Sequence, residues 1–73
     1  MQQDDFLKLG YKIKFERGKR KMSQLDLALK TGLTTRSISR IECGMIDPKL
    51  STLQRISSAL EIDIIELLNF NLS

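Results

Sequence analysis

The sequence predicts an all-α fold of five short helices, and two patterns carry that expectation. Apolar or small residues return at three- and four-residue intervals: Phe6, Leu9 and Ile13, then Leu27, Ala28 and Thr31, then Ile38 and Ile41, and last Leu50, Leu53, Ile56 and Leu60. That spacing puts each set on one face of a helix. Starting and stopping residues fall between the sets. Ser23, Thr34 and Asp63 can cap helix N-termini, while Gly32, Gly44 and Pro48 close or interrupt the helical runs.

The first helix is expected over residues 5 to 19 or 20, with Asp4 or Asp5 at its positive end and Lys19, Arg20 and Lys21 at its negative end. Residues 24–31 form the second behind a Ser23 cap, and residues 35–43 the third behind Thr34. Gly44 ends the third. Met45 to Asp47 make a loop, because the residue before Pro48 is pushed out of helical geometry. A fourth helix spans residues 49–60, with Leu50, Leu53, Ile56 and Leu60 as its buried stripe. Asp63, three residues before Glu66, has the form of a capping box and opens a fifth over residues 64–69. With no repeat, linker or low-complexity tract, residues 1–73 are expected to form one domain.

The second and third helices form the most informative stretch. Gly32 supplies a left-handed turn between them, and Ala28 is small enough to let two helices cross closely. The third helix buries Ile38 and Ile41 and turns Thr35, Arg36, Ser39 and Arg40 outward, all hydrogen-bonding and two permanently charged. A polar, cationic helix presented by a helix-turn-helix is a device for reading DNA. The surrounding residues carry a family likeness. Leu9-Gly10, Ile13-Lys14 and Arg17, then Met22-Ser23-Gln24, then Ile38-Ser39-Arg40-Ile41-Glu42 with Gly44 and Pro48, and the apolar pattern of residues 50–68 together resemble the Xre/Cro-like helix-turn-helix family. The likeness covers nearly the whole chain and implies a compact, lambda-repressor-like five-helix bundle. The compact layout is also similar to that of restriction-modification controller proteins.

Composition bounds the function independently. A chain of 73 residues buries only about 60 to 65 per cent of its unfolded surface, which predicts one small domain without room for an effector module. One cysteine and no histidine argue against a disulfide framework or a His/Cys metal cage and point to a reducing cytoplasm. No apolar run approaches the roughly 20 residues of a membrane span, and Met1-Gln2-Gln3-Asp4-Asp5 is unlike a signal peptide. An enzyme would need a convergent site, and the chain shows no histidine and no glycine-rich phosphate loop. No cofactor, metal or small-molecule ligand is expected. The net charge of +3 conceals a segregation: all twelve Lys and Arg lie between Lys8 and Arg55, opposed there only by Glu16, Asp26, Glu42 and Asp47, a local balance of +8. A basic surface coincident with the helix-turn-helix favours double-stranded DNA as the partner.

Roles follow from position. Thr35, Arg36, Ser39 and Arg40 occupy positions i, i+1, i+4 and i+5 and form one strip for base edges. Arg36 and Arg40 suit guanine, whose N7 and O6 a guanidinium bonds together, and a phosphate contact is the alternative for each. The resemblance places Gln24 against a phosphate, Lys49 near the neighbouring backbone, and Arg17 with Glu42 in a semi-buried salt bridge joining the first helix to the end of the third. Ser23 and Thr34 are phosphate contacts or helix caps, and a hydroxyl can serve as both. Relative to the family pattern, Lys21 and Glu61 stand where glycines are usual, so those turns are expected to be strained or differently shaped. Phe15, Leu25, Leu29 and Ile65 fall at places often polar in relatives.

Ile65, Leu68, Phe70 and Leu72 are expected to form a dimer surface, because a single recognition helix reads too few base pairs to specify one site. The alternatives are that Phe70 and Leu72 fold back on the core, or that the interface lies around Met45 and Ile46. The expected function is a sequence-specific transcriptional regulator, a repressor acting as a homodimer on an inverted repeat, with activation open. The competing class is a small protein-binding module or antitoxin-like partner, for which Leu25, Leu29 and Phe15 would be the contact.

Overall fold

The structure, a computed structural model, describes residues 2–70. Its helices are α1 (Gln3–Lys19), α2 (Gln24–Thr31), α3 (Thr35–Glu42), α4 (Leu50–Leu60) and α5 (Ile64–Leu68), with no strand among the described residues. α1 packs on α3 and α5, α2 on α3 and α4, and α4 on α5, a ring of contacts that encloses one core. Every helix contributes to it: Leu9 and Ile13, Leu27 and Ala28, Ile38 and Ile41, Leu53, Ile56 and Leu60, and Leu67. No helix among the described residues is long and apolar enough to cross a membrane.

Three expectations need correction. α1 begins at Gln3 rather than at residue 5, because the Asp5 carboxylate accepts from the Gln2 backbone N–H at 3.0 Å and so closes the first turn from inside it. Leu50 does not join the α4 core. The buried stripe runs through Leu53, Ile56, Ser57 and Leu60, and Leu50, the first residue of the helix, stands at its edge and is 62% exposed. The capping box at α5 does not form: Asp63 is the N-cap residue but makes no side-chain cap. Its intended partner Glu66 is drawn away to Lys12 on α1, whose Nζ donates to Glu66 Oε1 at 3.2 Å.

The C-terminal ends of α1, α3 and α4 share one geometry. After α1, the Met22 N–H donates to the Arg17 carbonyl and the Lys21 N–H to that of Gly18. The same pair of bonds recurs from Met45 and Gly44 after α3, and from Ile62 and Glu61 after α4. This motif places one residue in the left-handed region, and those residues are Lys21 (φ 52°), Gly44 (φ 69°) and Glu61 (φ 59°). The two turns lacking glycine thus keep the shape glycine would give and carry strain of about 1 kcal/mol each. Gly32 (φ 75°) closes α2 with a single bond to the Ala28 carbonyl, which sets the turn into α3.

α1 also buries an acid that the apolar pattern does not flag. Glu16 is 2% exposed and is gripped by Arg20 (2.8 Å), Lys12 (3.1 Å) and Lys19 (3.4 Å). Burial pushes its carboxyl up, but the bonds from Arg20, Lys12 and Lys19 overcome this and hold it down to about 2. Through Lys12 the cluster reaches Glu66 and ties α1 to α5.

Candidate nucleic-acid interface

The recognition helix is seated from beneath. Ile38 and Ile41 are fully or nearly fully buried, and α1 approaches so closely that Gly10 lies against the carbonyls of Ile41 and Glu42. Any β-carbon at Gly10 would overlap the Glu42 carbonyl oxygen and stand 2.7 Å from its carbon. This backbone-to-backbone contact fixes how far α3 protrudes from the domain.

A buried node locks the same helix at its end. Arg17 Nε donates to Glu42 Oε2 at 2.8 Å and Nη2 to Oε1 at 3.0 Å, a two-pronged pair whose side chains are only 14% and 4% exposed. The remaining prong, Nη1, donates to the Met22 carbonyl at 2.8 Å in the segment leading to α2. Glu42 raises the Arg17 guanidinium further above its ordinary value, more than burial lowers it. Gln24 Nε2 donates to Glu42 Oε1 at 3.1 Å, a contact the sequence does not announce. One N–H of the Gln24 amide is therefore spent inside the domain, leaving one to donate outward. Three segments, α1, the start of α2 and the end of α3, meet on one carboxylate.

The two caps are built differently. Ser23 Oγ accepts from the Asp26 N–H at 2.9 Å while Asp26 Oδ2 accepts from the Ser23 N–H at 2.9 Å, a reciprocal box. The Ser23 backbone bond, aided by its hydroxyl, holds the Asp26 carboxyl below the usual range. The signal was present in Ser23 followed three residues later by an acid. Thr34 Oγ1 accepts from the Ser37 N–H at 3.0 Å and donates to Ser37 Oγ at 3.0 Å. Two hydroxyl protons meet there and one is consumed, so the pair keeps a single donor for an outside acceptor, and Ser37 joins Thr34 as a candidate contact.

Thr35, Arg36 and Arg40 are exposed, and Ser39 between them is half-buried. Neither arginine side chain has a hydrogen-bond or ion-pair partner among the described residues, so both charges face outward unspent. Lys49 is exposed as the N-cap residue of α4 and makes no side-chain cap. Away from this face, Ile65 is 79% and Leu68 38% exposed, whereas Phe70 packs against its own core. Leu72 lies outside the described residues. Leu25 and Leu29 project from α2 at 56% and 74% exposure, and Phe15 from α1 at 60%.

Comparison with known proteins agrees with this geometry. A family model described as helix-turn-helix matches residues 13–67. An uncharacterized HTH-type transcriptional regulator, y4dL, of Sinorhizobium fredii is 42% identical over 45 residues, which are 62% of this chain. The chain spans about a quarter of that relative, 23% of its length. Among solved structures, the restriction-modification controller protein C.AhdI from Aeromonas hydrophila superposes with a TM-score of 0.86 at 28% identity, covering 88% of this chain and 97% of its own. A hypothetical transcription factor, NHTF, from Neisseria gives a TM-score of 0.84 at 26% identity, covering 92% of this chain and 76% of its own.

Proposed function

The chain belongs to the Xre-like helix-turn-helix family, and from that premise we propose that it is a sequence-specific, double-stranded-DNA-binding transcriptional regulator that represses as a homodimer on an inverted-repeat operator. The observation that carries this reading is α3 itself. Its inner side is held by Gly10 and the Arg17–Glu42–Gln24 node, and its outer side offers the side chains of Thr35, Arg36 and Arg40 with no partner among the described residues. A rigid helix with two unspent guanidinium groups suits the major groove, where Arg36 and Arg40 reach guanine edges. Ser39 adds a hydroxyl deeper in the strip.

Positioning falls to the edge of the motif. The free N–H of Gln24, the Ser23 hydroxyl, the spare proton of the Thr34–Ser37 pair and Lys49 are the donors available to phosphates. Exposed Ile65 and Leu68 support self-association through the α5 end.

Selection of duplexes from a random library, followed by titration with salt, tests the proposal. The expected product is two half-sites about 34 Å apart along the duplex, bound with a log–log salt slope of about −0.9 per neutralised phosphate. A slope near zero would refute it. The exposed pair Leu25 and Leu29 favours the second reading, a protein-binding module, and salt-insensitive failure to hold any duplex would select that reading.

A further inference from the structure

The outer face of α4 holds a cleft that the proposed DNA contacts do not use. It is an open space of about 670 Å³ walled by Lys30 from the end of α2 and by Ser51, Gln54, Arg55, Ser58 and Glu61 from α4 and its cap. Both signs of charge are present, and the side chains of Arg55 and Glu61 have no partner among the described residues. Two residues on, the exposed Asp63 carboxylate makes no side-chain cap on α5 and has no other partner among the described residues. Ile65, the most exposed large apolar side chain described, follows Glu61 by four residues and so lies within about 15 Å of it by chain length alone.

Glu61 is peculiar in a second respect. It sits at φ 59°, where glycine would be free of strain, yet a carboxylate occupies the position, in a cleft that an unmatched arginine also lines. A face that carries both signs unpaired is complementary to itself under a twofold axis, because in such a contact residue i meets j and j meets i. The same mixture of signs makes the cleft a poor host for an acidic or a basic stranger.

We infer that this cleft is the polar half of a contact with a second copy of the chain: Arg55 of each copy takes the Glu61 carboxylate of the other, flanked by Lys30 and Asp63, while the Ile65 end supplies the apolar half. The inference rests on the homodimer reading above and adds what gives that dimer its register. Two symmetric ion pairs at the rim of an apolar contact discriminate alignments more than they add affinity, since like charges meet in any slipped arrangement.

Charge exchange between copies is the test, read by sedimentation equilibrium without DNA, with a melting curve for each variant. Arg55→Glu and Glu61→Arg should each weaken self-association about tenfold or more, because each places two like-charge contacts in the homodimer. An equimolar mixture of the two variants should recover association, since every contact then joins opposite signs. Glu61→Gly should raise the melting temperature by relieving the left-handed turn while weakening association, a split that a purely local role for Glu61 would not produce. Wild-type-like association of both charge variants, or no recovery on mixing, overturns the charge lock and leaves the homodimer standing. A wild-type chain that stays monomeric up to about 1 mM overturns both.

Discussion

A methyl group added at Gly10 tests the contact that seats the recognition helix. In Gly10→Ala the new carbon would overlap the Glu42 carbonyl oxygen and lie 2.7 Å and 2.8 Å from the Glu42 carbonyl carbon and the Ile41 carbonyl oxygen. These are backbone atoms of α3, so no side-chain rotation relieves the overlap, and α1 and α3 must move apart. Overpacking against backbone that cannot rotate away falls in the upper part of the usual range, about 2 to 3 kcal/mol, against which alanine returns about 0.8 to 1 kcal/mol of helix propensity. The expected net loss is about 1 to 2 kcal/mol, or a fall in melting temperature of about 5 to 15 °C for a domain of this size. Gly18 supplies the control on the same helix, because a β-carbon there meets nothing within 4 Å. Gly18→Ala should therefore stabilise, by about 0.5 kcal/mol near the helix end. Urea unfolding of the two variants and the wild type reads both signs. DNA affinity of Gly10→Ala should also fall at temperatures where it remains folded, since α3 is displaced. Equal stability of the two alanine variants would refute the close approach.

Glu42→Ala should cost about 3 kcal/mol, because it strands the Arg17 guanidinium and one Gln24 N–H in a mostly buried place, whereas Arg40→Ala should leave the urea midpoint unchanged and lower DNA affinity. Arg36→Ala should relax discrimination at one base position by about 1 to 3 kcal/mol, and Gln24→Ala should weaken all sequences alike while also lowering stability, as a binding matrix over single-base variants and a melting curve would show. The Glu16 carboxyl, depressed from 4.5 to about 2, stabilises the fold fully above pH 4.5, and that contribution drains away as pH falls towards 2. Because Lys19 and Arg20 are half and nearly one-third exposed, about 1 to 2 kcal/mol is expected, seen as a shallower acid limb of the stability profile in Glu16→Gln.

Local physics made most of the fold legible in the sequence. The stripes of Leu9 and Ile13, Ile38 and Ile41, and Leu53, Ile56 and Leu60 are set by a fixed helical period, and Ser23, Thr34, Gly32 and Gly44 act on bonds within four residues of themselves. The outward placement of Thr35, Arg36 and Arg40 follows from the same period once Ile38 and Ile41 point inward. Leu50 and Asp63 show where local reasoning ends. Leu50 fits the apolar spacing, but burial depends on what covers a helix face, and at the first residue of α4 Leu50 is left 62% exposed while Leu53 is buried. Asp63 and Glu66 have capping-box spacing, but Lys12, 54 residues earlier than Glu66, competes for the carboxylate.

The sequence by itself determined the helices, their inner faces and the class of surface α3 presents, because a period of 3.6 residues and hydrogen bonds a few residues long are properties of the local chain. Only the tertiary structure decided that Glu42, besides pairing with Arg17, also takes Gln24, that Glu16 collects three cations, that Gly10 meets a carbonyl of α3, and that Arg55 and Glu61 line one cleft without a partner among the described residues. Those facts concern groups brought together from distant positions or left without a neighbour, and whether a charge is paired, buried or spare depends on distance in space, which spacing along a chain does not encode.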